Sequence, residues 1–197
     1  MTPDDIATLV TGTGFGVGHP DVVERFTTPL RAIWADMEAL PRTDPFWTGQ
    51  WNDRATVSKL RAYASERLRR DPTDRAAGRT LAALDLHYGA NEAGLPYLAP
   101  ELDAEPAVVG DAVVAAQWIW EQTGVDTTHA LRRALADVDR GALTDLTRGG
   151  RGWTATAARV AMHILGGLDL DTAYARSLAE VTASPAPTDD GGSSRGT

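Results

Sequence analysis

Apolar side chains recur every three to four residues through most of this chain and nowhere alternate convincingly with polar ones, so the fold it can adopt is helix packed on helix. Val23, Phe26, Leu30, Ile33, Met37 and Leu40 share one face of the first such stretch. Pro29 interrupts it. Proline lacks an N–H donor and clashes inside a helix but suits a first turn, so the pattern predicts a short helix from about Asp21, a break capped by Thr28, and a second helix to Leu40. A further stretch offers Asn52 and Asp53 as N-caps, carries Val57, Leu60, Ala64 and Leu68 on one side, and ends in Arg67, Arg69 and Arg70, whose charges suit a helix C-terminus. Asp71 and Pro72 open the next, with Ala77, Leu81, Leu84 and Tyr88 as its apolar face and Gly89 placed to stop it. The short link predicts an antiparallel hairpin.

The segment 91–105, with Gly94, Pro96 and Pro100, reads as a loop crossing between the two halves of the fold. Pro106 then begins the most apolar stretch of the chain, Ala107 to Trp120, and a helix apolar on nearly all sides belongs at the centre of a core. Three shorter helices follow, roughly Thr128 to Val138, Thr154 to Leu165 and Thr172 to Val181. The expected fold is all-α: an irregular bundle of about seven to eight helices around a central apolar helix at 107–123. The expected organisation is a glycine-rich N-terminal segment at 1–20, one helical domain at 21–183, and a tail at 184–197. The tail's Ser, Pro, Asp and Gly residues cannot offset the entropy of ordering it, which predicts disorder.

Composition removes several functional classes. Without cysteine there is no disulfide framework, thiolate metal site or cysteine nucleophile. Met1 to Val10 carry Asp4 and Asp5 where a secretory signal needs positive charge and a continuous apolar run, and no later run would span a bilayer. The expectation is a cytoplasmic protein with no membrane partner. A formal net charge of −8 opposes non-specific nucleic-acid binding, and the last two helices, read as a helix-turn-helix, would present Asp169, Asp171 and Glu180 against one Arg176. No nucleic-acid partner is expected.

Residues that could carry chemistry are few. The run Gly12-Thr-Gly14-Phe-Gly16-Val-Gly18 lacks the spacing, the flanking strand and the lysine of phosphate-binding loops, and reads as a flexible connector. Of four histidines, His19 lies in a Gly-Pro turn, His129 in a helical first turn, and His163 projects from its helix toward solvent. Only His87 stands beside an apolar stripe, where Asp85 and Glu92 could orient its imidazole or join it as ligands; no established metal-ligand spacing is present. Neither a metal nor a cofactor is predicted.

Two binding features remain. Phe46, Trp47 and Trp51, with Asp53, fall in a loop between two helices; such aromatics either close the end of a bundle or form an interface. Arg148 and Arg151, in a glycine-rich turn beside Trp153, could hold an anion. The six tryptophans also leave room for a homodimer seam. The function expected from this is binding of another protein, in the manner of an immunity protein, inhibitor or adaptor, without catalysis. The alternative is a small helical enzyme, or a small-ligand or metal-binding protein, with a pocket near His87.

Overall fold

The computed structural model describes residues 2, 4–5, 8, 15–16, 18–49, 55–89, 91–149 and 152–183. Ten α-helices and no strand lie among them: α1 (Pro20–Glu38), α2 (Pro45–Thr48), α3 (Thr56–Arg70), α4 (Arg75–Leu84), α5 (Ala99–Ala104), α6 (Val109–Thr123), α7 (Thr128–Ala134), α8 (Arg140–Gly149), α9 (Trp153–Leu165) and α10 (Leu170–Ala183). The all-α bundle expected from periodicity is the fold. The expected tail at 184–197, the glycines at 12 and 14, and Trp51, Asn52, Asp53 and Arg151 lie outside the described residues.

The first half is built from large side chains. α1 runs along α4, and α3 pairs with α4 as the predicted hairpin. Phe26, Leu30, Ile33 and Met37 of α1 meet Leu60 of α3 and Leu81 and Leu84 of α4, all fully buried or nearly so. Pro29 does not break α1, which continues for 19 residues through it. The apolar stripe on both sides of the proline is packed against α4 and α3, and burial of several large side chains at roughly 2 kcal/mol each exceeds the ~3 kcal/mol of an interior proline. Thr28 is not a cap; its hydroxyl donates instead to the Glu24 carboxylate one turn earlier.

α4 is capped by Asp74, which accepts from the Ala77 amide at 2.9 Å, and it passes into a π-helical turn, Asp85–Gly89. That extra residue per turn rotates the end of the helix, so Tyr88, expected on the buried stripe, is 44% exposed. The segment 91–105 is not a loop. It forms a 3-10 helix, Glu92–Leu98, capped by Asn91, and then α5, with Pro100 in the first turn where a missing N–H costs nothing.

α6 is buried on all sides from Val109 to Ala116 and again at Trp118 and Ile119, as its sequence predicted. It ends at Gly124 in a left-handed turn. The second half packs on it through small residues: Ala155, Ala157, Ala158 and Ala161 of α9 and Ala130 and Ala134 of α7. Helix α8 was not anticipated from sequence, and α7 closes earlier than expected. Arg132 of α7 reaches across to cap α9, donating to the carbonyls of Ile164 (3.0 Å) and Leu168 (3.2 Å). At the N-terminal end Phe15 is buried, edge-on to Phe26 (5.3 Å) and Trp118 (5.5 Å). Phe15 is therefore packed into the core, where a bare connector was expected. No helix among the described residues is long and apolar enough to cross a membrane.

Candidate functional site

The strongest polar feature of the interior is a cluster at the junction of α1, α4, α5 and α6. Arg79 of α4 donates through Nε and Nη2 to both oxygens of Glu101 and through Nη1 to Asp111; Asp111 also receives Nε (3.0 Å) and Nη2 (2.6 Å) of Arg25. Asp111 is wholly buried, and the Arg79 and Glu101 side chains are nearly so. Two cations face two carboxylates, so the cluster is neutral and its lone pairs are filled. It is a tie between four helices, its carboxylates both taken up by arginine.

The surface tells a different story around α3. This helix carries Lys59, Arg61, Arg67, Arg69 and Arg70 against one acid, Glu66: net +4, in a chain of net −8, so the remainder carries −12. Beside it the chain leaves α1, turns at Asp44, whose carboxylate accepts from the Phe46 amide at 2.8 Å, and forms the single turn of α2. Between this corner and α3 runs a groove of about 1030 Å³. Leu40, Phe46, Ala62 and Tyr63, all half-buried, form its apolar part, and the rings of Phe46 and Tyr63 meet edge to face at 5.6 Å. Arg69 and Arg70 line it with side chains 71% and 73% exposed.

Most of these cations are engaged within the molecule. Arg61 pairs with Asp85 of the π-helical turn, and Arg67 with Asp36 and, at 2.8 Å, Asp74. Arg69 and Arg70 share the one carboxylate of Glu66, whose pKa they draw down to about 2, chiefly through the Arg69 hydrogen bonds. Arg42 lies over the Trp47 ring at 4.4 Å and Lys59 over the same ring at 5.8 Å.

The residues singled out from sequence fare unevenly. Trp47 is not an exposed contact: it is buried at 7% exposure and donates its indole N–H to the Leu40 carbonyl at 3.3 Å, so it closes the end of the bundle. Phe46 does line the groove, half-buried. Asp85 is buried with its carboxylate taken up by Arg61, while His87 is half-buried with its ring edge-on to Tyr88 at 4.6 Å. Burial holds the His87 imidazole below its ordinary pKa. Glu92 opens the 3-10 helix. Among the described residues no three His, Asp or Glu side chains are placed to hold a metal. Arg148 sits in the last turn of α8, exposed, 3.4 Å from Asp145, and not in a free turn. His163, expected in solvent, is half-buried against α10 with Nε2 3.2 Å from Glu180.

With that geometry in view, comparison with known proteins adds nothing: no protein-family model, curated protein or solved structure matches this chain. The excess of basic side chains on α3 is the feature that sequence alone did not single out. Arg67, Arg69 and Arg70 are legible in sequence as the charges of a helix C-terminus, whereas the exposure of Arg69 and Arg70 beside an apolar groove needs the fold.

Proposed function

We propose that this protein is a binding module, without catalysis, whose partner is another protein docked in the groove between the α1–α2 corner and α3. The observation that carries this reading is the groove itself: half-buried Phe46, Tyr63 and Leu40 next to arginines more than two-thirds exposed. Aromatic side chains and arginine are the groups most enriched where protein interfaces concentrate their energy, because each combines a large contact area with directed polar contacts. The groove spans most of α3, whose 15 residues rise about 22 Å, a length suited to one element of a partner.

Ser65 is an exposed residue lining the groove, so Ser65→Trp fills the site without disturbing the core. The expected outcome is that a partner recovered with the tagged protein, identified and reconstituted from purified components, binds the native protein and loses binding on Ser65→Trp. Equal affinity for both proteins by calorimetry removes the groove from the binding surface and ends this reading.

A further inference from the structure

Arg69 and Arg70 hold only one anion between them. Glu66 accepts Nε and Nη2 of Arg69 at 2.9 and 2.8 Å and Nε of Arg70 at 2.9 Å, from three and four residues away on the same helix. Each guanidinium carries five N–H donors, so most of the ten remain turned to water, and the trio keeps a net charge of +1 beside an apolar groove. Arg67 and Arg61, in contrast, reach carboxylates on other elements and are committed to the fold. The exposed pair is thus held by an internal carboxylate on its own helix, in a place that ties no two helices together.

We propose that the partner's docking element is an acidic amphipathic helix, its carboxylates taking up Arg69 and Arg70 in place of Glu66 and its apolar side chains seated on Phe46 and Tyr63. This rests on the reading of the groove as a docking site and specifies the chemistry that fills it. Carboxylate is the planar anion that a guanidinium fork receives with two parallel hydrogen bonds, and arginine supplies these at lower desolvation cost than lysine. A helix suits the site because an apolar strip bordered by charge accepts anchors at i, i+3, i+4 and i+7 with acids between them. A nucleic-acid strand is disfavoured. It carries a negative charge at every nucleotide and would run past Arg69 and Arg70 into the field of an acidic remainder, whereas an amphipathic helix can confine its few carboxylates to the flank that meets those two arginines.

Glu66 then acts as an internal competitor, and removing it should strengthen the interaction, which a merely structural ion pair would not do. The probe is a fluorescein-labelled helical peptide of about 15 residues with leucine at every third or fourth position, two glutamates flanking that strip and alanine elsewhere, titrated by anisotropy against the full chain. Its controls are the same peptide with glutamine in place of glutamate and a labelled single-stranded oligonucleotide. The expected result is saturable binding of the glutamate peptide. It should weaken on the order of 10-fold in Arg69→Gln/Arg70→Gln, tighten about 3-fold in Glu66→Gln, and fall with added salt. Circular dichroism of each variant checks that the fold is unchanged.

Equal binding of the glutamine peptide overturns the acidic partner while leaving the groove as a docking site. Tighter binding of the oligonucleotide overturns it in favour of nucleic acid. Weaker binding in Glu66→Gln overturns the competitor role. Failure of the glutamate peptide where a Ser65→Trp-sensitive partner still binds overturns the acidic helix alone. Failure of both ends the docking reading as well.

Discussion

Arg79 and Arg69 both grip carboxylates with charge-assisted hydrogen bonds, yet the Arg79 side chain is 5% exposed and that of Arg69 71%. The same two functional groups therefore do different work. Around Arg79 no water competes, every donor that reaches an acid does so on another helix, and the cluster joins α1, α4, α5 and α6. Around Arg69 water competes freely, the acid is a near neighbour on the same helix, and breaking the contact separates nothing. Burial, more than bond geometry, decides which pair is part of the fold and which can be exchanged for a partner.

The comparison breaks most directly at Arg79. Arg79→Met leaves Glu101 without its cation and Asp111 with Arg25 alone, and the expected loss is about 3–5 kcal/mol of unfolding free energy by urea titration. Replacing the buried acids as well, by Glu101→Met and Asp111→Val, should recover most of that loss, because the desolvation cost of the charges disappears with them. A loss of under ~1 kcal/mol in the single variant would show that the cluster is not what joins the four helices.

Acid sharpens the comparison, since burial and neighbouring charge shift ionisation by different routes. His19, stacked on Trp153 at 4.1 Å, and His87 both have pKa values lowered by burial from an ordinary 6.5. At a pH below that value the unfolded chain binds more protons than the folded one, so stability falls as pH drops from about 6.5. His19→Phe keeps a ring on Trp153 and removes one of these protons, and thermal melts from pH 7 to 5 should show a shallower acid limb. An unchanged limb would mean that His19 contributes none of it. Glu66, lowered by its two arginines, is fully exposed, and any stability linked to it is lost as pH falls from the ordinary carboxylate value of 4.5 toward about 2, below most of this range.

The smallest effect is expected at the exposed cluster. Glu66→Gln and Arg69→Gln/Arg70→Gln should leave the urea midpoint where it is while moving peptide affinity in opposite directions. A large stability change in either would place this trio with Arg79 as part of the fold.

How much of this the sequence revealed depends on how local each feature is. The α6 helix was legible because its apolar residues are contiguous, and the α3–α4 hairpin because its stripes and link are. Pro29 misled because its cost is local, while the packing that outweighs it comes from α4, some fifty residues on. Pro96 and Pro100 read as a loop although proline fits a 3-10 helix and a first turn equally well. Helix α8 was missed because Gly141, Thr144 and Thr147 are poor helix formers, and only Leu143 among its residues is buried. The Arg79 cluster was invisible, with partners 22, 32 and 86 positions apart. Of the candidate site, Phe46 and Trp47 were legible as loop aromatics that either close the bundle or form an interface, but that Trp47 turns inward was not, because a loop aromatic gives no sign of which way it points.

The charge distribution described for α3 has a further result that appears only when the molecule moves. With Arg61 and Arg67 set against Asp85, Asp36 and Asp74, α3 and these three acids together keep +1 while the rest of the chain carries −9, an asymmetry on which an approaching acidic surface exerts a torque before any atoms touch. Collisions are thereby oriented: the molecule is rotated so that α3 leads, although its overall negative charge slows the approach. Association governed in this way is fastest in dilute buffer and loses its angular bias as the ionic atmosphere shrinks to the width of the helix itself.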